Sequence, residues 1–257
     1  MCELLGFSSK KEYVINDYLK EFYGHSDMHP NGWGLVCIYG SHVMIEKEPE
    51  SAAKSRYLKK RLTFPIEVKS AMAHIRYATI GNVEYKNCHP FYMKDNYGRG
   101  WTLMHNGTIF DYQPLNKYVK SQTGDTDSER ILLYIIEKIN AYQSEYGRPL
   151  TDEERFNFLD SYISDLSKGN KLNLIIYDGE YMYIHTNYKN SLYFLENDNS
   201  VVFSTRPLKG EGWKPLPFTT LLAYKEGKVV YTGTNHGNEY IYNEEDMKFI
   251  YQMFSYL

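Results

Sequence analysis

MCELLGFSS (residues 1–9) places a cysteine directly after the initiator methionine and follows it with a short apolar run, ELLGF (3–7), that reads as a strand. Cysteine is scarce here: Cys2, Cys37 and Cys88 are the only three in 257 residues. Taken alone, Cys2 is a small apolar residue opening a strand, since free cysteine is usually buried and inert. If Met1 is removed, thiol and α-amine sit on one carbon. The amine, with a pKa of about 7.7–8.0, can then act as base for its own thiol, at about 8.5, without a separate histidine. Which reading holds depends on what the rest of the chain brings to that end of the strand.

Composition narrows the choices. A hydrophobic content of 42% over this length supports one sizeable core. No repeat, low-complexity tract or Pro/Gly/Ser linker interrupts it, so a single domain over residues 1–257 is expected. The formal net charge of -3 calls for neither nucleic acid nor a membrane surface. No apolar run approaches the roughly 18 residues of a membrane span, and no basic segment followed by a long apolar stretch marks a secretory signal. Three widely spaced cysteines make neither a disulfide framework nor a zinc site, so a reducing cytoplasm is the expected location. The 26 tyrosines read as filling for half-buried surfaces.

Working outward, SSKKEYVINDYLKEFY (8–23) reads as a helix capped by Ser8 or Ser9, with Tyr13, Val14, Tyr18, Leu19 and Phe22 at helical spacing. GLVCIYG and SHVMIEKE (34–48) read as a hairpin turning near Gly40-Ser41. SAAKSRYLKKRL (51–62) is a short helix, VKSAMAHIRYAT (68–79) a buried strand running into a polar loop, and WTLMHNG (101–107) a strand stopping at a turn. DTDSERILLYIIEKINAYQ (125–143) is helical, with acids at the positive end of its dipole. TDEERFNFLDSYISDLS (151–167) is a second helix, with Thr151 and Glu154 as a capping box. Three hairpins follow: 173–187 by its Asp-Gly turn, 192–205 and 221–233. NEEDMKFIYQMFSYL (243–257) closes the chain as a helix. Helices thus fall early, late and between two groups of mostly antiparallel strands, which implies an α+β layered fold.

Polar residues cluster where strands end. Arg76 in HIRYAT (74–79) is either a rim ion-pair partner or a guanidinium fork for a carboxylate. Asn106-Gly107 is the favoured two-residue hairpin turn; alternatively it is an oxyanion hole, combining a side-chain amide with a glycine amide. Asp127 is a first-turn helix acid or a receiver for a substrate ammonium. Taken together these groups describe an α-amino acid with a side-chain carbonyl, such as glutamine or a γ-glutamyl compound. His25 and His29 sit at helical spacing, but no third ligand is evident nearby and no metal is expected.

In this order the motifs resemble the class II glutamine amidotransferases of the N-terminal-nucleophile hydrolases. The match runs through Cys2, GWG (32–34), HIRYATIG (74–81), CHPF (88–91), MHNG (104–107), TDSE (126–129) and STRPL (204–208). The opening MCELLG, GWG and STRPL are most similar to small stand-alone bacterial members. The resemblance implies a four-layer αββα sandwich of two mostly antiparallel sheets covered by helices, with no cofactor. It implies Cys2 as nucleophile, Asn106 and Gly107 as the oxyanion pair, Arg76 as carboxylate holder and Asp127 as amine binder. Tyr77 and Thr79 would line the pocket, with His89 as structural support. Ile80 stands where many members have histidine. The activity implied is cleavage of the glutamine side-chain amide through a γ-glutamyl thioester. The ammonia would pass to a separate synthase subunit, if one docks. The alternatives are a γ-glutamyl hydrolase acting on a conjugate or peptide, and a non-catalytic amino-acid-binding module.

Overall fold

In the computed structural model, which describes residues 2–244 and 248, strand β1 (Glu3–Val14) lies inside a seven-stranded antiparallel sheet. It pairs on one side with β4 (Glu67–Ile75) and on the other with β10 (Ser200–Ser204). Beyond β4 lie β2 (Trp33–Tyr39) and β3 (His42–Glu48); beyond β10 lie β9 (Tyr193–Asn197) and β11 (Lys214–Pro215). A six-stranded sheet runs β13 (Lys228–Thr232), β12 (Leu222–Lys225), β8 (Met182–Thr186), β7 (Lys171–Tyr177), β6 (Gly100–Thr108) and β5 (Phe91–Lys94). The 34–48, 173–187, 192–205 and 221–233 hairpins form as the sequence implies.

Strand alternation builds the layers, because successive side chains point to opposite faces. Leu4 of β1 joins Met104, Ile175, Met182 and Phe203 in a core between the sheets. Leu5 and Phe7 face the other way, toward Leu19 and Phe22 of α1 (Asn16–Gly24) and Leu58 of α2 (Arg56–Arg61). In the second sheet Trp101, Leu103, Leu172 and Leu174 face α3 (Asp127–Tyr146) and α4 (Asp152–Leu166). The result is the expected αββα sandwich. Gly6 serves the inter-sheet face: a Cβ there would meet Ile175, Met182 and Phe203 at 3.1–3.3 Å.

Three elements differ from expectation, and a fourth lies almost entirely outside the described residues. The helix over 8–23 begins only at Asn16, because β4 continues far enough to pair Tyr13 with Val68 and Val14 with Glu67, across a register shift after Ser8. Ser9 caps nothing; its hydroxyl donates to the carbonyls of Lys11 and Lys69. The Asn16 side chain holds the helix start, donating to Leu62 and Phe64 carbonyls and accepting from Ile66 N–H. The helix over 51–62 shortens to α2, which Ser55 caps through Leu58 N–H. Strand β6 does not turn at Asn106-Gly107; those residues stay in the ladder opposite Asn173 and Leu172. The helix expected over 243–257 falls almost entirely outside the described residues. The capping box at Thr151 and Glu154 forms as read.

One buried ion pair locks α4 to the second sheet. Arg155 Nε donates to Asp178 Oδ2 at 2.7 Å, and the Tyr183 hydroxyl donates to the same oxygen at 2.8 Å. Asp178 is fully buried and Arg155 nearly so. Asp178→Ala takes the acceptor from Arg155 Nε and the Tyr183 hydroxyl, leaving the guanidinium its Nη contacts to Asp152, Glu180 and the Leu150 carbonyl, and is expected to cost about 3 kcal/mol. Removing exposed Lys168 from Asp165 is expected to cost less than about 1 kcal/mol. Urea midpoints of the two variants measure the difference.

Candidate active site

The same alternation that builds the inter-sheet core decides what meets at its open end. Cys2 is on the Leu4 face of β1, Asn106 on the Met104 face of β6, and Lys171 on the Ile175 face of β7. All three continue the inter-sheet layer past its last apolar residues. Cys2 is anchored across the ladder, its Sγ lying 3.4 Å from both the N–H and the carbonyl oxygen of Tyr77. Burial raises its thiol pKa; the Tyr77 contact and the Arg76 charge oppose that rise.

Two spaces adjoin Cys2, and they share Cys2, Tyr77, Asn106 and Lys171 as a common neck. The first is narrow and adds Thr79, Gly107, Thr108, Phe110, Tyr240 and Tyr242. The second is a polar cleft of about 490 Å³ that runs past Glu3, His29, Tyr188 and Arg206. Of the residues singled out from sequence, Cys2, Tyr77, Thr79, Asn106 and Gly107 therefore lie together.

Arg76 and Asp127 stand behind this pocket, in the supporting structure. The Arg76 guanidinium donates to the carbonyls of Ile80, Gly81 and Asn82 at 2.9–3.0 Å, fixing the loop after Thr79. Asp127 accepts from Ile109 N–H at 2.9 Å with one oxygen and from Ser128 N–H with the other, tying the end of β6 to the start of α3. Both charges bear on the Cys2 thiol, Arg76 lowering its pKa and Asp127 raising it.

Gly107 is required by packing. A Cβ there would come within 1.9 Å of the Lys171 carbonyl oxygen and 2.4 Å of His105 Nε2. Gly34 is held in the same way against the His89 carbonyl, at 1.9 Å. His89 stacks on His74 with ring centroids 4.1 Å apart and meets Phe91 edge-on. Burial holds both imidazoles well below their usual pKa, so they are neutral packing at physiological pH. His25 and His29 turn toward one carboxylate, Glu3, at 2.8 and 3.8 Å. Among the described residues no three His, Cys, Asp or Glu side chains are grouped to hold a metal.

Sequence reasoning missed Lys171, which belongs to no motif. Its signal is the strand KLNLIIY, whose alternation turns a lysine inward. Burial lowers its pKa to about 8, with Cys2 opposing the fall, and its Nζ sits 4.1 Å from the centre of the Tyr188 ring. Tyr240 and Tyr242, brought in from the far end of the chain, were equally illegible.

Two antiparallel sheets under helices, with a thiol and a side-chain amide at one open end, make the sandwich of the N-terminal-nucleophile hydrolases. The chain belongs to the class II glutamine amidotransferases: the model of that family, "Glutamine amidotransferases class-II", matches residues 1–196. It is 32% identical over 196 residues to the putative glutamine amidotransferase YafJ of Escherichia coli, covering 73% of this chain and 74% of that one. An uncharacterized protein of Methanocaldococcus jannaschii is 27% identical over 90% of this chain and 71% of its own. The chain spans only 24% of a glutamine–fructose-6-phosphate aminotransferase of Chlorobaculum tepidum, at 26% identity over 57% of this chain. The fold superposes on a predicted glutamine amidotransferase from Pseudomonas aeruginosa with a TM-score of 0.67 at 22% identity, covering 90% of this chain and all of that one. It also superposes on glutamine phosphoribosylpyrophosphate amidotransferase of Bacillus subtilis, with a TM-score of 0.67 at 17% identity, over 91% of this chain and 49% of that one. No helix among the described residues is long and apolar enough to cross a membrane.

Two outcomes follow from this geometry. Gly107→Ala should lower stability by roughly 2 kcal/mol or more, because the obstacle is backbone rather than a yielding side chain; thermal unfolding measures it. With Met1 retained, alkylation of Cys2 by iodoacetamide should still be accelerating above the ~8.5 midpoint of a free cysteine, since burial favours the neutral thiol. Peptide mass mapping across a pH series reads this.

Proposed function

We propose that the chain cleaves the side-chain amide of glutamine through a γ-glutamyl thioester on Cys2. The observation that carries this reading is that Cys2, Asn106 and Gly107 line one narrow pocket with Tyr77 and Thr79, in a chain of this family. Removal of Met1 belongs to the proposal, because the reaction uses the α-amine of Cys2.

In the first step the α-amine takes the thiol proton and the sulfur attacks the amide carbon. Asn106 Nδ2 and the Gly107 amide stabilise the resulting oxyanion. The α-ammonium then gives its proton to the amide nitrogen, the C–N bond breaks, and ammonia leaves. Water, deprotonated by the same amine, attacks the thioester, expelling the thiolate, which regains its proton, and glutamate departs. Arg76 receives the α-carboxylate, exchanging some of its bonds to the 80–82 loop for it, and Asp127 receives the α-ammonium. The ammonia goes to solvent or to a separate acceptor subunit.

Cys2→Ala is expected to abolish glutamate release, and Asn106→Ala to lower kcat by about 10²–10³-fold. A glutamine-analogue diazoketone should add its mass to the peptide that begins at Cys2. Full activity in Cys2→Ala would refute the mechanism, whereas glutamine binding without glutamate release by the wild-type chain would favour a binding module. Intact mass of protein from its native host should show loss of one methionine.

A further inference from the structure

The pocket in which Cys2, Asn106 and Gly107 meet is shut. Its free volume is about 20 Å³, room for one water molecule, whereas sites for small molecules run to about 300–1,000 Å³. A glutamyl group can enter only if a wall withdraws. Asn106, Gly107, Thr108 and Lys171 belong to the β6–β7 ladder, which yields only by breaking sheet hydrogen bonds. Tyr77 is clamped against the Cys2 sulfur, and the loop after Thr79 is tied to the Arg76 guanidinium. Phe110 is held by its N–H, which donates to Asn170 Oδ1 at 2.6 Å. The last wall is Tyr240 and Tyr242. They are carried by residues 233–242, which join neither sheet and lie beyond the residues 1–196 that match the family. The Tyr240 ring closes the pocket by lying flat on Phe110, with centroids 5.7 Å and planes 9° apart.

This segment has a fixed root and a tip fastened by side chains. The root is held by Thr219, a buried β-branched residue at φ +52°, a conformation that persists only where its neighbours enforce it. Its carbonyl accepts from His236 N–H at 3.0 Å, and its hydroxyl donates to Asn235 Oδ1. Gly237 follows at φ +67°, with open space where a Cβ would stand. Beyond it, Tyr240 N–H donates to the Asn187 carbonyl at 2.8 Å. Asn238 Nδ2 donates to the Ser164 carbonyl, and Asn238 N–H donates to His236 Nδ1. That last bond fixes a tautomer. Burial lowers the pKa of both His185 and His236, so both rings are neutral near pH 7. With its Nδ1 accepting, His236 carries its proton on Nε2 and donates to His185 Nε2 at 3.0 Å. Fastenings of this kind open locally at less cost than a ladder.

We propose that residues 237–242 are the lid of the glutamyl pocket, with the Tyr240 ring as its gate and the hydrogen bonds joining His185, His236 and Asn238 as its latch. The proposal rests on the reading of Cys2 as the residue that meets the γ-carbonyl. The lid governs the narrow pocket alone, because the sulfur also faces the cleft of about 490 Å³, which none of residues 233–242 lines.

Two alkylating reagents separate the two entrances. The glutamine-analogue diazoketone needs the glutamyl pocket, whereas iodoacetamide needs only the sulfur. Asn238→Ala and His236→Phe each weaken the latch, and losing one hydrogen bond raises the open population about two- to tenfold. In both variants of the mature chain the diazoketone should therefore label Cys2 faster by that factor, with the iodoacetamide rate unchanged. Diazoketone rates equal to wild type, or equal acceleration of both reagents, would overturn the lid. Hydrogen exchange on the unmodified wild-type chain tests it without variant or reagent. The Tyr240 amide should exchange at least about tenfold faster than the slowest amides of the β6–β7 ladder, and a Tyr240 amide as slow as those would also overturn the lid. Failure of the diazoketone to label Cys2 in any variant, with iodoacetamide labelling intact, would instead remove the glutamyl reading of Cys2, and the exchange rates then judge the strap alone.

Discussion

The constraint on which this site depends is that β1 is hydrogen-bonded along both edges from its first residues. Glu3 pairs with Ile75 on one side, and Leu4 exchanges bonds with Thr205 on the other, its N–H donating to Thr205 Oγ1 and its carbonyl accepting from Thr205 N–H. Chain ends ordinarily fray unless something ties them down. Here the first residues are the middle of a seven-stranded sheet, so the Cys2 side chain has one direction available, into the space between the sheets. Everything else at the site is arranged around that direction: β4 delivers Tyr77 against the sulfur, and β6 and β7 bring Asn106 and Lys171 to the same open end.

The charges around the thiol are arranged by burial as much as by pairing. His74 and His89 lie in the same layer and are kept neutral, so they add volume without competing for protons. The cations near Cys2 are Arg76, whose guanidinium is tied to three carbonyls, and Lys171, whose charge burial makes costly to hold. Through those three bonds Arg76 shapes the loop behind Thr79.

Much of this was legible in the chain because local patterns carried it. The hairpins at 34–48 and 173–187 announce themselves by alternation and turn residues, α3 by apolar spacing and first-turn acids, and α4 by apolar spacing and its cap at Thr151. The failures share one cause. Residues 8–14 have helical spacing, but β4 offers them backbone partners, and a ladder outweighs a weak propensity. Asn106-Gly107 has the strongest local turn signal in the chain, yet it runs straight because β7 continues beside it and because the Lys171 carbonyl needs the room that only glycine leaves. Lys171 and Tyr240 lie far from every motif in sequence, and nothing local distinguishes them from a strand lysine and a loop tyrosine.

By itself the sequence determined which residue types were available and in what order: one cysteine behind the initiator, an arginine, an Asn-Gly pair and an aspartate, each at a strand end or helix start. Strand period then assigned each to a face, which is a local property of backbone geometry. Only the tertiary structure decided which faces oppose one another. It placed Cys2, Asn106 and Gly107 around one pocket, set Arg76 and Asp127 behind it, and brought Lys171 and Arg206 into the cleft that adjoins it. The physical reason is that sheet-on-sheet packing is fixed by long-range burial, with no expression in any short stretch of chain.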